Sequence, residues 1–299
     1  MTADSDWRQQ RERSNLAILR LMVWISLTFG RHIGRVVLHG IALYYLLFAP
    51  RARRASQDYL RRVLGRRPGW RASYRHLFSF ASTIHDRIYL LNDRFDLFDI
   101  EVVGADALHA ALAKQPGALL VGAHFGSFEV LRAAARKVGD LRVAMLMYEE
   151  NARKINATLQ AINPRASEDI LALGQLDSML RAHDRLQQGC LIGMLADRGL
   201  GGDAALECSF LGGAATFPLG PWRMAAMLRR PVFFMAGLYL GGNRYQIHFE
   251  PLADFSAVAR SERDAAIRGA AGNYAVRLAD ACARSPYNWF NFFDFWQRQ

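Results

Sequence analysis

Residues 118–130 read ALLVGAHFGSFEV, and this stretch decides how the rest of the chain is organised. Its first five residues, Ala118–Gly122, are small or apolar and follow Pro116-Gly117, which is typical of a short buried strand. From about Ser127 the sequence SFEVLRAAARKV has the apolar spacing of a helix, with Ser127 as candidate N-cap. Strand, turn and helix in this order predict one unit of an α/β sheet.

The turn places two chemically active side chains at the sheet edge where open α/β proteins bind ligands. His124 follows the predicted strand, and Glu129 opens the predicted helix, where the helix dipole favours an ionised carboxylate. An ionised Glu129 can hold a neutral imidazole in one tautomer, so His124 is a candidate general base with Glu129 as its partner. On spacing alone, a His and a Glu this close are more often a buried polar pair than a catalytic dyad, and it is the position at a strand-to-helix corner that favours catalysis.

The motif His124-Phe-Gly-Ser-Phe-Glu129 resembles the His-x-x-x-x-Asp/Glu signature of the glycerolipid-type acyltransferases. The longer run VGAHFGSFEVL is similar to that of the bacterial lipid A late acyltransferases, the lauroyl/myristoyl transferase family. The resemblance covers most of the chain, and its further blocks are Asn151–Leu159, Leu195–Arg198, Phe210–Gly213 and Ala214–Pro218.

This resemblance implies an enzyme that moves a fatty acyl group from a thioester to a hydroxyl of a lipid acceptor, either lipid A-like or a specialised lipid. The implied thiol carrier is acyl carrier protein or coenzyme A, with no metal and no other cofactor. His124 would take the proton of the acceptor hydroxyl with Glu129 as its partner. Backbone amides of residues 125–127 or an arginine would stabilise the oxyanion. The residues expected to contact substrate are Gly126, Arg153, Asp197 and Arg198.

Two departures from the family pattern bear on the acceptor. Asp197-Arg198 stands where many of these enzymes have an Asp-Gln-Asp run, and Pro286–Trp289 replaces a basic ending. Two alternatives therefore stay open. One is an acyltransferase that acts on a lysophospholipid or glycerol phosphate, and the other is a membrane-anchored protein that binds acyl chains without turnover.

Ser127 offers a rival mechanism, because a Ser/His pair could form an acyl-enzyme. The local sequence lacks the Gly-x-Ser-x-Gly elbow that exposes such a nucleophile, and an N-cap oxygen is occupied by helix amides. We therefore expect direct transfer without a covalent intermediate. Gly122 and Gly126 are expected to permit close approach of the thioester.

The positive charge of the chain is confined to its N-terminal part. Residues 1–92 contain 16 arginines and five acidic residues, which account for the entire net charge of +11, whereas the remaining 207 residues contain 22 of each sign. No zinc-finger spacing or RNA-recognition signature accompanies this charge, so an anionic membrane is a better partner than nucleic acid.

Two apolar runs, Asn15–Phe29 and Val36–Ala49, are joined by the charged link Arg31–Arg35. As helices, each would be about 22 Å long, shorter than a hydrocarbon core of about 30 Å. They are either buried core helices or a membrane anchor, and their basic flanks favour the anchor. We therefore expect an anchor at residues 1–50, an acyltransferase domain at residues 51–299, and a location on the cytoplasmic face of the inner membrane.

The remainder of the chain alternates strands with helices and contains one hairpin, so we expect a mixed, mostly parallel sheet flanked by helices. The hairpin turn is Gly241-Gly242-Asn243. The three cysteines have neither metal-binding nor disulfide spacing, which fits a reducing compartment. The aromatic tail Tyr287–Trp296 is either a strap packed on the core or a surface that enters lipid.

Overall fold

The computed structural model describes residues 3–139, 141–148, 158–163, 170–173, 177–199 and 204–296. These ranges contain eight α-helices with defined bounds and nine strands. The helices are α1 Ala3–Phe48, α2 Pro50–Leu64, α3 Trp70–Leu91, α4 Ala105–Leu112, α5 Glu129–Gly139, α6 Ser178–Gln187, α7 Gly220–Leu228 and α8 Arg263–Arg284. The strands are β1 Asp99–Val103, β2 Ala118–Gly122, β3 Val143–Tyr148, β4 Ile170–Leu173, β5 Leu191–Leu195, β6 Ala205–Phe210, β7 Gly213–Pro218, β8 Pro231–Gly241 and β9 Arg244–Asp254.

Seven strands form one mixed sheet in the order β1-β9-β8-β2-β5-β3-β4. All neighbouring pairs are parallel except β8 and β9, which form the predicted hairpin. Strand β2 lies at the centre between β5 and β8, and all five of its residues are buried. Because side chains alternate along a strand, Leu119 and Val121 pack into one core cluster, whereas Ala118 and Leu120 pack into the cluster on the opposite face. The expected mixed, mostly parallel sheet is confirmed.

A second, two-stranded sheet is formed by β6 and β7, which pair antiparallel. This hairpin was not predicted, because its residues were recognised only as blocks of the family resemblance. Leu211 and Gly212 make its turn, and both have positive φ. Phe210 and Phe217 are fully buried and pack against each other, so the hairpin belongs to the main core.

The first helix combines the two predicted apolar segments in one element that is kinked at Gly30, where φ is 82°. The charged residues expected to form a link between two helices are therefore helical. Arg31 is buried and makes two hydrogen bonds of 2.7 and 2.8 Å to Asp86 of α3. Asp86 also accepts a hydrogen bond from Tyr245 of β9, so this buried group joins α1 to the sheet.

No single helix in the described part of the chain is long and apolar enough to cross a membrane. Residues Met22–Phe48 and Pro50–Leu64 meet the length and composition criteria only as a pair, which is bent by 93°. The division into an anchor at residues 1–50 and a domain at residues 51–299 thus stays a prediction.

The aromatic tail is a strap packed on the core, which confirms the first of the two alternatives. Trp289 is fully buried and its ring contacts Tyr59, Phe210 and Phe295. The strap also bonds to α3, because the carbonyl of Trp289 lies 2.8 Å from Nε2 of His76. Burial lowers the pKa of His76 to about 4, so this imidazole is neutral and donates that hydrogen bond.

Candidate active site

Sheet register brings His124 next to Asp197. Strands β2 and β5 are parallel neighbours, and Gly122 is the register partner of Leu195. His124 and Asp197 each lie two residues beyond these partners, at the carboxyl edge of the sheet. The amide of Ala196 donates to the carbonyl of Gly122, which keeps the two chains together past the strand ends.

The carboxylate of Asp197 accepts three hydrogen bonds and is fully buried. His124 provides two of them, from its Nδ1 at 2.9 Å and from its backbone amide at 3.1 Å. The indole nitrogen of Trp289 provides the third at 3.1 Å. Burial alone would raise the pKa of this carboxyl, but the charge and hydrogen bonds of His124, together with Arg198, hold that pKa below its usual value. Asp197 is therefore ionised at neutral pH.

This pairing fixes the chemistry of the imidazole. An ionised carboxylate can only accept hydrogen bonds, so Nδ1 of His124 carries the proton. In the neutral ring Nε2 then has the free lone pair. The side chain of His124 is 38% exposed and lines an open cavity, so a substrate can reach it. The arrangement suits a general base whose protonated form is stabilised by Asp197.

Glu129 does not hold the imidazole as the sequence predicted. Its carboxylate lies 2.7 Å from the guanidinium of Arg87 on α3, and it accepts a hydrogen bond of 3.3 Å from the hydroxyl of Ser127. The helix begins at Glu129 itself, so Ser127 precedes it by two residues and its hydroxyl points to a side chain instead of the helix amides. Glu129 lines the same cavity as His124, and its expected catalytic role stays a prediction.

The backbone amides expected to form an oxyanion hole are already occupied. Those of Phe125, Gly126 and Ser127 donate to carbonyls of the protein at 2.6, 2.8 and 2.8 Å. An amide that bonds a carbonyl cannot also stabilise an oxyanion without rearrangement, which leaves an arginine as the predicted oxyanion donor.

Of the two arginines that the sequence predicted as oxyanion donors, Arg198 lines the same cavity as the imidazole of His124. Its Nη2 donates to the carbonyl of Phe290 at 2.8 Å, its guanidinium lies 4.8 Å from the ring centre of Phe293, and it lines the cavity. Its Nε is 3.9 Å from Asp197 and has no hydrogen-bond acceptor within the described residues. Arg153, the other predicted arginine, lies outside the described residues.

The strap completes the loop that carries His124. The amide of Gly126 donates to the carbonyl of Asn288, and the amide of Phe290 donates to the carbonyl of His124, both at 2.8 Å. The side chain of Asn288 in turn bonds both backbone groups of Tyr239 on β8. Strap, loop and strand therefore hold His124 from both sides.

Gly126 lines the cavity, but the structure gives it a second reason to be glycine. Its φ is +62°, and a Cβ there would overlap the carbonyl oxygen of Gly237 on β8. A larger residue would therefore displace the loop from the sheet. A bulky replacement at this position would therefore disturb the backbone packing of the loop as well as the cavity.

The cavity beside His124 has a volume of about 500 Å³. One wall is aromatic and comes from Phe80 of α3 together with the strap, and another is aliphatic and comes mainly from strands β3, β4 and β5. The aliphatic and thioether side chains are those of Val143, Met145, Met147, Leu159, Ile170 and Leu195. Such a cavity can hold a hydrocarbon chain with its reactive end at His124.

Two residues of this site were missed at the level of sequence. Arg87 is one charged residue in a helix that reads as amphipathic, and nothing in its spacing points to Glu129. Trp289 lies in a segment so rich in rings that its indole nitrogen is not distinguished from its neighbours. Its separation from Asp197 by 92 residues conceals the hydrogen bond.

Comparison with known proteins gives one family. The model of the bacterial lipid A biosynthesis acyltransferases matches residues 6–298, nearly the whole chain. No curated protein matches it.

Proposed function

This chain belongs to the bacterial lipid A biosynthesis acyltransferase family, and from that premise we propose that it is a membrane-associated O-acyltransferase with a thioester donor. The family membership makes it an acyltransferase and indicates a lipid acceptor. The donor, acyl carrier protein or coenzyme A, and the site at the cytoplasmic face of the inner membrane belong to the proposal.

One observation supports the chemistry above all. An imidazole whose Nδ1 is bonded to a buried, ionised carboxylate at 2.9 Å lines an apolar cavity of about 500 Å³. A protein that only binds acyl chains has no need of an oriented base. The function that suits this pair is activation of a hydroxyl beside a bound hydrocarbon chain.

In the proposed reaction Nε2 of His124 removes the proton from the acceptor hydroxyl while the oxygen attacks the thioester carbonyl. Asp197 stabilises the imidazolium that forms, and Arg198, which lines the same cavity, stabilises the oxyanion. Collapse of the tetrahedral intermediate breaks the carbon–sulfur bond, and the imidazolium returns its proton to the leaving thiolate. The products are an ester and a free thiol, with no acyl-enzyme and no cofactor.

The proposed reaction can be tested with the purified full-length chain and a radiolabelled acyl donor. Acyl carrier protein and coenzyme A thioesters would each be offered with a lipid A precursor, a lysophospholipid, glycerol phosphate and a hydroxylated polyene. Label should move to an ester of a hydroxylated lipid, and the better donor identifies the carrier. Binding of the donor without transfer to any acceptor would contradict the proposal.

Membrane association is supported by the outer face of α1, which exposes a row of large apolar side chains. Among the residues of α1 whose exposure the structure describes, eleven are at least 43% exposed: Trp24, Leu27, Phe29, Ile33, Val36, Val37, Leu43, Tyr44, Tyr45, Leu47 and Phe48. A patch of this kind on a chain with a basic N-terminal part suits an anionic lipid surface. The buried ion pair between Arg31 of α1 and Asp86 of α3 would hold the catalytic domain at that surface.

The double substitution Val36→Glu with Phe48→Glu should weaken binding to vesicles that contain phosphatidylglycerol by at least about tenfold. Burying each apolar side chain contributes about 1.5–3 kcal/mol, and the new charges are repelled by the lipid. Vesicle co-sedimentation measures the effect. The matched control is Leu180→Glu with Val276→Glu, which are 66% and 60% exposed but lie on α6 and α8. Equal loss in both variants would contradict a specific role for α1.

Trp289→Phe should lower kcat by roughly tenfold, because a hydrogen bond to a charged group is worth about 1.5–3 kcal/mol and the ring packing is retained. Loss of this donor removes one of the hydrogen bonds that stabilise the ionised form of Asp197, so the pKa of that carboxyl should rise and the acidic limb of the activity profile should move to higher pH. Trp296→Phe is the control, since it loses an indole bond of 3.1 Å to the carbonyl of Phe210 in the same strap. A role limited to folding would lower both activities equally and leave the pH profile in place.

A further inference from the structure

A second cavity, of about 440 Å³, lies among α1, α2 and α3. Helix α1 contributes Leu38, Ile41 and Ala42 to its walls, and α3 contributes Leu77 and Ala81. It is separate from the hollow that contains His124, and the mechanism above does not use it.

The second cavity adjoins the catalytic cavity. Phe80, Ile84, Arg87 and Phe292 line both of them. Arg87 forms the ion pair with Glu129, so this pair lies at the boundary between the two cavities. The proposed reaction gives the pair no role. A long molecule could lie across the boundary with one end at His124 and the other in the second cavity.

The chemistry of the second cavity suits hydrocarbon. Among the described residues that line this cavity, the ionisable side chains are Arg87, His85 and the phenol of Tyr45. Burial lowers the pKa of His85 to about 4, so its ring is neutral, and neither ring nitrogen has a hydrogen-bond partner in the described part of the chain. A charged headgroup would find no matched partner here except at the Arg87 boundary.

We propose that the second cavity holds a hydrocarbon chain of the acceptor lipid while the catalytic cavity holds the acyl chain of the donor. This assignment rests on the proposed function. The acceptor hydroxyl would then reach His124 past Phe80 and Ile84, close to the Arg87–Glu129 pair.

The exposed side chain at the edge of the second cavity favours the acceptor over the donor as the lipid bound there. Tyr45, which lines the second cavity, is 50% exposed and belongs to the apolar outer face of α1. A lipid that leaves the membrane at α1 therefore meets this cavity first, whereas a donor carried by a soluble protein or by coenzyme A has no such requirement.

Ala81→Phe tests the assignment by kinetics, since the new ring fills part of the second cavity. With one fixed donor, the KM for a long-chain acceptor should rise at least tenfold, and the KM for the donor should stay within twofold. For an acceptor with short chains, the KM of the variant should equal that of the wild type. Ala72→Phe is the control, because Ala72 lies on the same helix, is partly buried and lines neither cavity. A rise in the donor KM instead, or an unchanged acceptor KM, would overturn the assignment.

Photocrosslinking gives a readout that needs no turnover. The full chain with His124→Ala would be mixed with phosphatidylglycerol that carries a diazirine near the end of one acyl chain, and labelled residues would be mapped by mass spectrometry. Label on Ile41, Leu77 or Ala81 supports the assignment. Label confined to Met145 and Ile170, or to the outer face of α1, contradicts it. Absence of transfer by the wild type would sink the proposed function while leaving the crosslinking result to decide the cavity.

Discussion

Replacement of His124 by alanine should lower acyl transfer by at least about 10²–10⁴-fold, the contribution of a positioned general base. The hydroxyl would then have to attack with its proton in place, because no other base is bonded to a buried carboxylate in the described part of the cavity. The rate of label transfer from the acyl donor measures the loss. Thermal unfolding of the same sample separates a chemical loss from a loss of stability, since the His124 side chain is partly exposed but also bonds the buried carboxylate of Asp197.

Ser127→Ala is the companion experiment, because it tests the rival route through an acyl-enzyme. The hydroxyl of Ser127 is bonded to Glu129, so its removal should leave most of the turnover intact. Denaturing the wild type during turnover should recover no label on the protein. Stoichiometric label on Ser127 would overturn direct transfer.

The second large effect is expected for Asp197→Asn, at about 10²–10⁴-fold in kcat. The amide has the same shape and still offers an oxygen to the amide of His124 and the indole of Trp289. Its NH₂ group, however, donates to Nδ1 and so leaves the proton on Nε2, where the reaction needs a lone pair. Asparagine also cannot stabilise the imidazolium. Kinetics over a range of pH would measure the loss.

Glu129→Gln is the control that separates the two carboxylates. It removes one charge from the ion pair with Arg87 and leaves the bond between His124 and Asp197 in place, so its kcat should fall by less than that of Asp197→Asn. If Glu129→Gln proved the more damaging change, Glu129 would be restored as the partner of the base. The two variants therefore decide which carboxylate orients His124.

The local sequence was sufficient to predict individual strands and helices, but not which strands lie next to each other in the sheet. The run Ala118–Gly122 predicts a buried strand, and Gly241-Gly242-Asn243 predicts the β8–β9 hairpin, because a turn and its flanking strands are contiguous. The hairpin β6–β7 was missed because its alternation is weak and its turn begins at Leu211, a residue that is rarely found with positive φ. The family resemblance, by contrast, is confirmed over nearly the whole chain.

The partner of His124 was misassigned for a physical reason. Glu129 is near in sequence, whereas Asp197 is near only because β2 and β5 are neighbours in the sheet. Sequence alone shows that both His124 and Asp197 follow strands, but not the order of those strands. The same limit applies to Arg87 and Trp289, whose contacts join α3 and the strap to a loop far from both in the chain.

The aromatic strap also sets the order in which a newly synthesised chain becomes competent. Ribosomes make His124 and Asp197 well before Asn288–Phe290. Until the strap docks, the amide of Gly126 and the carbonyl of His124 lack the partners that they have in the folded protein, and Asp197 lacks the hydrogen bond from Trp289. Backbone groups of a buried loop stay solvated until they are paired, so the loop cannot settle earlier. The imidazole of His124 therefore reaches its working position only after the strap has docked on the sheet.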